Sequence, residues 1–213
     1  MVDWTVVDAS VTCYLRALAA EVSARGLPAI FGVDGAGGAG KSTLASLLAE
    51  ALAGPVVVVH GDDFYLPSES RVVSAAVGAA YDLERLRRQV LAPVTAGSAT
   101  AYQLYDWDQD AMGAWVELPT DLQALVVEGV YCTARSLRSL YTYRIFCTAP
   151  HEIRLARGLE RDGHDAKDRW VDVWMPAEHL YIQEQRPDLA AHVVLDGSGS
   201  GSPPVYYVVA PTA

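Results

Sequence analysis

The stretch Gly35-Ala-Gly-Gly-Ala-Gly-Lys41-Ser42 satisfies G-x-x-x-x-G-K-[S/T]. These residue types suit a chain of phosphates: small residues let backbone N–H groups approach the anion, the lysine neutralises charge, and the adjoining hydroxyl can meet Mg²⁺. With Thr43, the candidate nucleotide-binding residues are Gly35, Ala36, Gly37, Gly38, Ala39, Gly40, Lys41, Ser42 and Thr43. A glycine-rich turn with an incidental lysine is the bland alternative, and the flanks argue against it. An apolar run at 29–33 leads into the loop, and Leu44, Leu47, Leu48 and Leu52 after it fall on one helical face. A loop between a strand and a helix start offers phosphates the positive end of the helix dipole.

Phosphoryl transfer needs further parts: a metal-associated acid, an acid for the acceptor hydroxyl, and cations on the transferring group. Glu128 closes the apolar run 124–128 and suits the metal, with Ser42. In "HGDDFYLP", Asp62 and Asp63 follow another apolar run, where one of them can take the acceptor proton. Spacing does not choose between the two, and an Asx turn or helix cap is the structural reading of such a pair. Arg154, Arg157 and Arg161 recur at i, i+3 and i+7, one stripe of a helix. That stripe reads equally as cations facing phosphates or as a solvated face paired to Glu152 and Glu160.

These residues must be positioned by a frame. Apolar runs at 29–33, 55–60, 124–128, 143–147 and 192–196 read as five strands. Helical stretches at 82–91 and 150–161 separate some of them, and Val11, Leu15, Leu18, Ala19 and Val22 predict another helix before the first strand. Near-continuous apolar strands alternating with helices imply a parallel sheet covered on both faces. Ligands of such sheets bind beyond the carboxyl ends of the strands, where Gly35–Ser42, Asp62, Asp63 and Glu128 all fall. "GSGSGSPP" after Asp196 reads as a flexible loop, with 205–209 an added edge strand or a surface segment.

A chain of 213 residues, 51% hydrophobic, can bury one sizeable α/β core. A net charge of −10 argues against a sequence-independent grip on nucleic acid. Cys13, Cys132 and Cys147 show no disulfide or metal-ligand spacing and read as buried, inert thiols. The five histidines show no pairwise spacing of a metal site. No apolar run approaches a membrane span and the N-terminus lacks a signal-like pattern, so a cytoplasmic protein without a membrane partner is expected. A homo-oligomer is left open.

In order, GVDGAGGAGKST, GDDFY, YDLERLRRQVLAP, LYDWD, VVEGVY and RLARGLERD resemble the uridine kinase-like branch of P-loop kinases, over about 30–196. The resemblance implies an α/β fold of the P-loop NTPase kind, three-layered α/β/α, with a mostly parallel five-stranded sheet and a helical lid. The domain reading is one kinase domain over 1–213, with its core at 29–196, its lid at 150–175 and a flexible loop at 197–204. ATP with Mg²⁺ is the implied donor, and a small-molecule hydroxyl the implied acceptor, a nucleoside being the first candidate. Carried over by motif, Asp62 resembles the acid that takes the acceptor proton and also lies near the metal, with Ser42 and Glu128. Lys41, Arg157 and Arg161 resemble the residues that stabilise the transferring group. Tyr65, Asp82, Tyr105, Trp107 and Arg154 fall where uridine kinases contact the nucleoside.

The sequence departs from that family at Asp110, which stands where a base-reading His is implied. A carboxylate accepts where a protonated ring nitrogen donates, so Asp110 at a substrate-binding position favours amino or hydroxyl groups, and cytidine over uridine. Two other functions fit the same residues: a kinase of a non-nucleoside alcohol such as a sugar, glycerate or a pantothenate-like compound, and a nucleotide-dependent regulatory switch.

Overall fold

The computed structural model describes residues 4–7, 15, 17, 18, 20, 28–71, 77–199 and 206–211. Its strands are β1 (Trp4–Val7), β2 (Ala29–Gly35), β3 (Val56–His60), β4 (Ala101–Asp106), β5 (Ala111–Glu117), β6 (Ala124–Glu128), β7 (Tyr143–Thr148), β8 (Val193–Asp196) and β9 (Tyr207–Pro211). One sheet has the order β1-β9-β8-β7-β2-β6-β3, and β4 pairs with β5 in a separate hairpin.

The five expected strands, β2, β3, β6, β7 and β8, are the parallel body of that sheet. The expectation of five strands in all is corrected to seven, because β9 adds antiparallel to β8 and β1 adds antiparallel to β9. The addition has a physical reason: β8 would otherwise present a row of unpaired backbone groups at the sheet edge.

Side-chain alternation divides the sheet between two cores. Ala29, Phe31 and Val33 of β2 and Ala124 and Val126 of β6 pack with Leu44 and Leu48, joined by Leu15 and Leu18. Ile30, Leu125 and Val127 point the other way, onto Leu86, Val90 and Leu91. Each large side chain among these, the Val, Leu, Ile and Phe, contributes about 1.5–3 kcal/mol when withdrawn from water. Leu15 and Leu18 are helical as expected; Val11, Cys13, Ala19 and Val22 lie outside the described residues. Of the expected loop at 197–204, residues 200–204 do as well.

The leucine face after the phosphate loop forms helix α1 (Lys41–Ala51). Helix α2 runs over 83–95, past the expected end at 91, through a π-helical turn at Arg87–Leu91. Pro93 lacks the N–H that would serve the carbonyl of Gln89, and the Thr100 hydroxyl donates to that carbonyl instead, at 2.5 Å. Helix α3 is His151–Asp162, and α4 runs over 167–185 with a second π turn, Trp170–Trp174, again just ahead of a proline, Pro176. Among the described residues no helix is long and apolar enough to cross a membrane.

Candidate active site

The parallel register sets the carboxyl ends side by side: Val33 and His60 each align with Glu128, and Gly35 aligns with Cys147. A cleft of about 960 Å³ opens there. Gly37, Gly38, Gly40, Lys41, Ser42 and Thr43 supply its loop wall. Gly35, Ala36 and Ala39 complete the loop beneath, Gly40 taking a left-handed φ of 94° just ahead of α1. The helix start carries no side-chain cap, so its N–H groups face the cleft without an internal carboxylate.

Lys41 is only 8% exposed, and its Nζ donates to the Ala36 carbonyl at 3.1 Å. The Ser42 hydroxyl donates to Glu128 Oε1 at 3.1 Å, and His60 Nδ1 meets the same oxygen at 2.7 Å. Burial pushes Glu128 upward, but the His60 hydrogen bond and the charges of Lys41 and His60 outweigh it and hold the carboxyl below its ordinary value. The bond to Glu128 raises His60 in turn. A serine hydroxyl beside an ionised carboxylate is a hard-oxygen pair that suits Mg²⁺, an ion that keeps water and phosphate in its shell. Among the described residues no group of three His, Cys, Asp or Glu side chains is arranged to hold a metal alone.

Both candidate acids ride on the 3₁₀ turn Gly61–Phe64, which the end of β3 delivers to the cleft. They separate there. Asp62 lines the cleft and accepts from the Tyr81 hydroxyl at 3.2 Å. Asp63 is turned toward the Tyr102 hydroxyl, 3.5 Å away, and burial raises its pKa.

The three arginines of α3 do not share one environment, and of the two readings left open, the pairing with Glu152 and Glu160 is not among the ion pairs of the described residues. Arg157 and Arg161 line the cleft. Arg157 donates to the carbonyls of Gly38 (3.2 Å) and Gly197 (2.9 Å). Arg161 makes a two-pronged contact with Asp162 and lies 5.8 Å from the Trp170 ring. Arg154 instead pairs with Glu178 of α4 at 3.1 Å.

Tyr65 and Trp107 line the cleft and stack on each other, ring centroids 4.7 Å apart. Tyr105 packs edge-on against Trp107, and its hydroxyl donates to Asp110. Two expected substrate residues are used otherwise. Asp82 caps α2, accepting from the Arg85 N–H at 2.8 Å. Asp110 sits at the hairpin tip with φ 49°, off the cleft wall, where its Oδ1 also accepts from the Ser68 N–H at 3.0 Å and from Arg71 at 2.9 Å.

Sequence reasoning missed Arg71, Tyr81, Trp170 and Glu178, all on the cleft. For the last two a signal existed: Trp170, Trp174, Glu178 and Tyr181 recur at helical spacing on one face of α4. Trp170, 2% exposed, fits between two glycines, since a Cβ at Gly37 would meet its ring at 2.8 Å and one at Gly158 at 2.4 Å. Glu178 accepts from the Gly37 N–H at 2.9 Å, and burial raises its pKa against the charges of Lys41 and Arg154. Below the loop, fully buried Asp34 accepts from the Gly35 and Thr133 N–H groups and from the hydroxyls of Thr133 and Tyr181. From the C-terminal strand segment, the Tyr206 hydroxyl donates to the Gly40 carbonyl at 2.6 Å.

Residues 30–196 match the Phosphoribulokinase / Uridine kinase family. A uridine kinase from Ligilactobacillus salivarius is 27% identical over 171 residues, 73% of this chain and 80% of that protein. The structure of a possible uridine kinase from Bacillus stearothermophilus superposes with a TM-score of 0.66 at 21% identity, covering 86% of this chain and 98% of that one. A D-glycerate 3-kinase from Cryptococcus neoformans var. grubii does so with a TM-score of 0.55 at 13% identity, covering 86% and 88%. The two structural likenesses show the shared fold.

Proposed function

The chain belongs to the phosphoribulokinase/uridine kinase family and is a phosphotransferase acting on a hydroxyl group; from that premise we propose that it transfers the γ-phosphoryl group of ATP, with Mg²⁺, to a small-molecule alcohol. A nucleoside is the first candidate acceptor. The observation that carries this reading is one cleft holding Lys41, the Ser42–Glu128 pair and Asp62 together.

The loop N–H groups and Lys41 bind the phosphates and compensate their charge as it shifts in transfer. Ser42 and Glu128 would hold Mg²⁺, with Asp62 beside them, and the ion would supply charge neutralisation for the phosphates. Asp62 accepts the proton of the acceptor hydroxyl as its oxygen bonds to phosphorus and the bond to the departing ADP breaks. Its place on the wall, with Asp63 turned to Tyr102, favours Asp62 over Asp63 as the base. Arg157 and Arg161 act from a lid made of α3 and the start of α4, stabilising charge on the group in flight, while Trp170 and Glu178 seat that lid on Gly37 and exclude water.

The test is ADP release from ATP and Mg²⁺, alone and with a pool of nucleosides and small hydroxy compounds. Strong stimulation by an acceptor, lost on chelation of Mg²⁺, is expected. A rate that no acceptor raises and that only a macromolecular partner changes would point to a regulatory switch and overturn the proposal.

A further inference from the structure

Beyond Asp62 from the phosphate loop, the cleft is walled by Tyr65, Tyr81, Trp107 and Arg71. Arg71 is held from several sides. Its Nε donates to the Leu66 carbonyl at 2.8 Å, and its Nη2 donates to the Ser68 hydroxyl at 2.7 Å and to Asp110 at 2.9 Å. Its guanidinium carbon lies 4.8 Å from the Tyr65 ring centroid. Asp110 is fixed in its turn by the Ser68 N–H and the Tyr105 hydroxyl. A guanidinium has five N–H donors in a rigid fork; the bonds to Leu66, Ser68 and Asp110 use Nε and Nη2 and not Nη1, and the guanidinium also meets the Tyr105 hydroxyl. Tyr65, 8% exposed, is covered by its neighbours, Arg71 and Trp107 among them, whereas Trp107 itself is 53% exposed.

We propose that Arg71 reads the acceptor: its Nη1 edge donates to a carbonyl or carboxylate oxygen at the end of the acceptor remote from the phosphorylated hydroxyl, and Asp110 is the positioning residue that holds the fork. This rests on the kinase reading of the same cleft and names its acceptor class. The polarity is opposite to that expected if Asp110 itself faced the ligand. Arg71 stands on the wall and Asp110 does not, so the site offers donors and selects a molecule that presents acceptor atoms. The carbonyl edge of a uracil-type base and the carboxylate of a hydroxy acid share that chemistry, and matched probes separate them.

Calorimetric titration of the full chain with uridine, cytidine, glycerate and glycerol, in the presence of Mg²⁺ and ADP, tests this directly. Wild-type protein is expected to favour uridine over cytidine, or glycerate over glycerol, by about 10–100-fold in Kd, the range for a hydrogen bond to a charged group. Preference within the first pair identifies a base carbonyl, and within the second a carboxylate. Arg71→Met should abolish the preference, and Arg71→Lys, which keeps the charge without the fork, should not restore it. Asp110→Asn should weaken it less, since Leu66 and Ser68 still hold the guanidinium; in turnover assays the loss should fall on acceptor KM rather than kcat. Thermal melts establish that each variant is folded. Equal binding within both pairs, no binding of any probe, or a preference that survives both Arg71 substitutions overturns the assignment. An Arg71-dependent preference without phosphoryl transfer to the bound probe sinks the kinase reading and leaves the Arg71 assignment standing. Transfer that ignores Arg71 does the reverse.

Discussion

Replacing Gly158 with alanine sets two physical effects of opposite sign against each other. In a helix interior alanine is favoured over glycine by about 1 kcal/mol, so propensity alone predicts that Gly158→Ala stabilises α3. The packing predicts otherwise. A Cβ on Gly158 would lie 2.4 Å and 2.5 Å from two atoms of the Trp170 indole, whereas carbons rest about 3.5–4.0 Å apart. The ring would have to move by roughly 1 Å or more. It has little room, being 2% exposed, pressed against Gly37 on another side and tied by its Nε1–H to Asp162 at 3.0 Å. Overpacking of that severity costs about 3 kcal/mol, leaving a net destabilisation of about 2 kcal/mol and a Tm lower by about 4–8 °C for a chain of this size. Thermal unfolding followed by circular dichroism reads this out. In a Trp170→Leu background, which removes the ring atoms concerned, the same substitution should raise Tm by about 2–4 °C. A Tm unchanged or raised by Gly158→Ala alone would refute the two-glycine slot.

Lys41→Met should abolish transfer while leaving the circular dichroism spectrum native; near-normal turnover at saturating ATP would remove the phosphate-loop assignment. Asp62→Asn should lower kcat by ~10²-fold or more with ATP affinity little changed, and Asp63→Asn should cost less, so steady-state kinetics that rank the pair the other way exchange their roles. Hydrogen bonds from the Ser68 hydroxyl and the Tyr105 hydroxyl, then from the Ser68 N–H and Arg71, hold the Asp110 carboxyl at about 2, below its ordinary 3.8. A depressed pKa means that its hold on the hairpin is fully present above pH 3.8 and lost as pH falls through about 2. An NMR titration of the Asp110 carboxyl should therefore find its midpoint near that lower value, and an ordinary midpoint would mean that the contacts are absent in solution.

The parallel body of the sheet was legible because fully buried strands read as unbroken apolar runs, and Val56–His60 and Ala124–Glu128 fall within a residue of where those runs predict. The phosphate loop and Glu128 were legible for a related reason, since local spacing places them at strand ends. The antiparallel additions were harder. Trp4–Val7 and Tyr207–Pro211 are short, and their pairing is a tertiary contact between the two ends of the chain. The β4–β5 hairpin escaped because Trp107–Asp110 form its turn without the Asn-Gly or Asp-Gly signal of a tight one, Asp110 itself supplying the left-handed residue. That same turn also places Asp110, which stands on the motif, where its Oδ1 meets Ser68, Arg71 and Tyr105. Arg71 carried no local pattern at all; only folding brings it to Tyr65 and Asp110.

On the proposed reading, the cleft moves a phosphoryl group from nucleotide to alcohol rather than to water. Supplying ATP labelled in its γ-phosphate, with Mg²⁺ and an acceptor that the wild-type protein binds, and then separating the labelled products tests it most directly. Label is expected on the acceptor, in step with ADP formed, with a fall of ~10²-fold or more in that transfer for Asp62→Asn. Label appearing only as inorganic phosphate, at a rate indifferent to the acceptor, would contradict it.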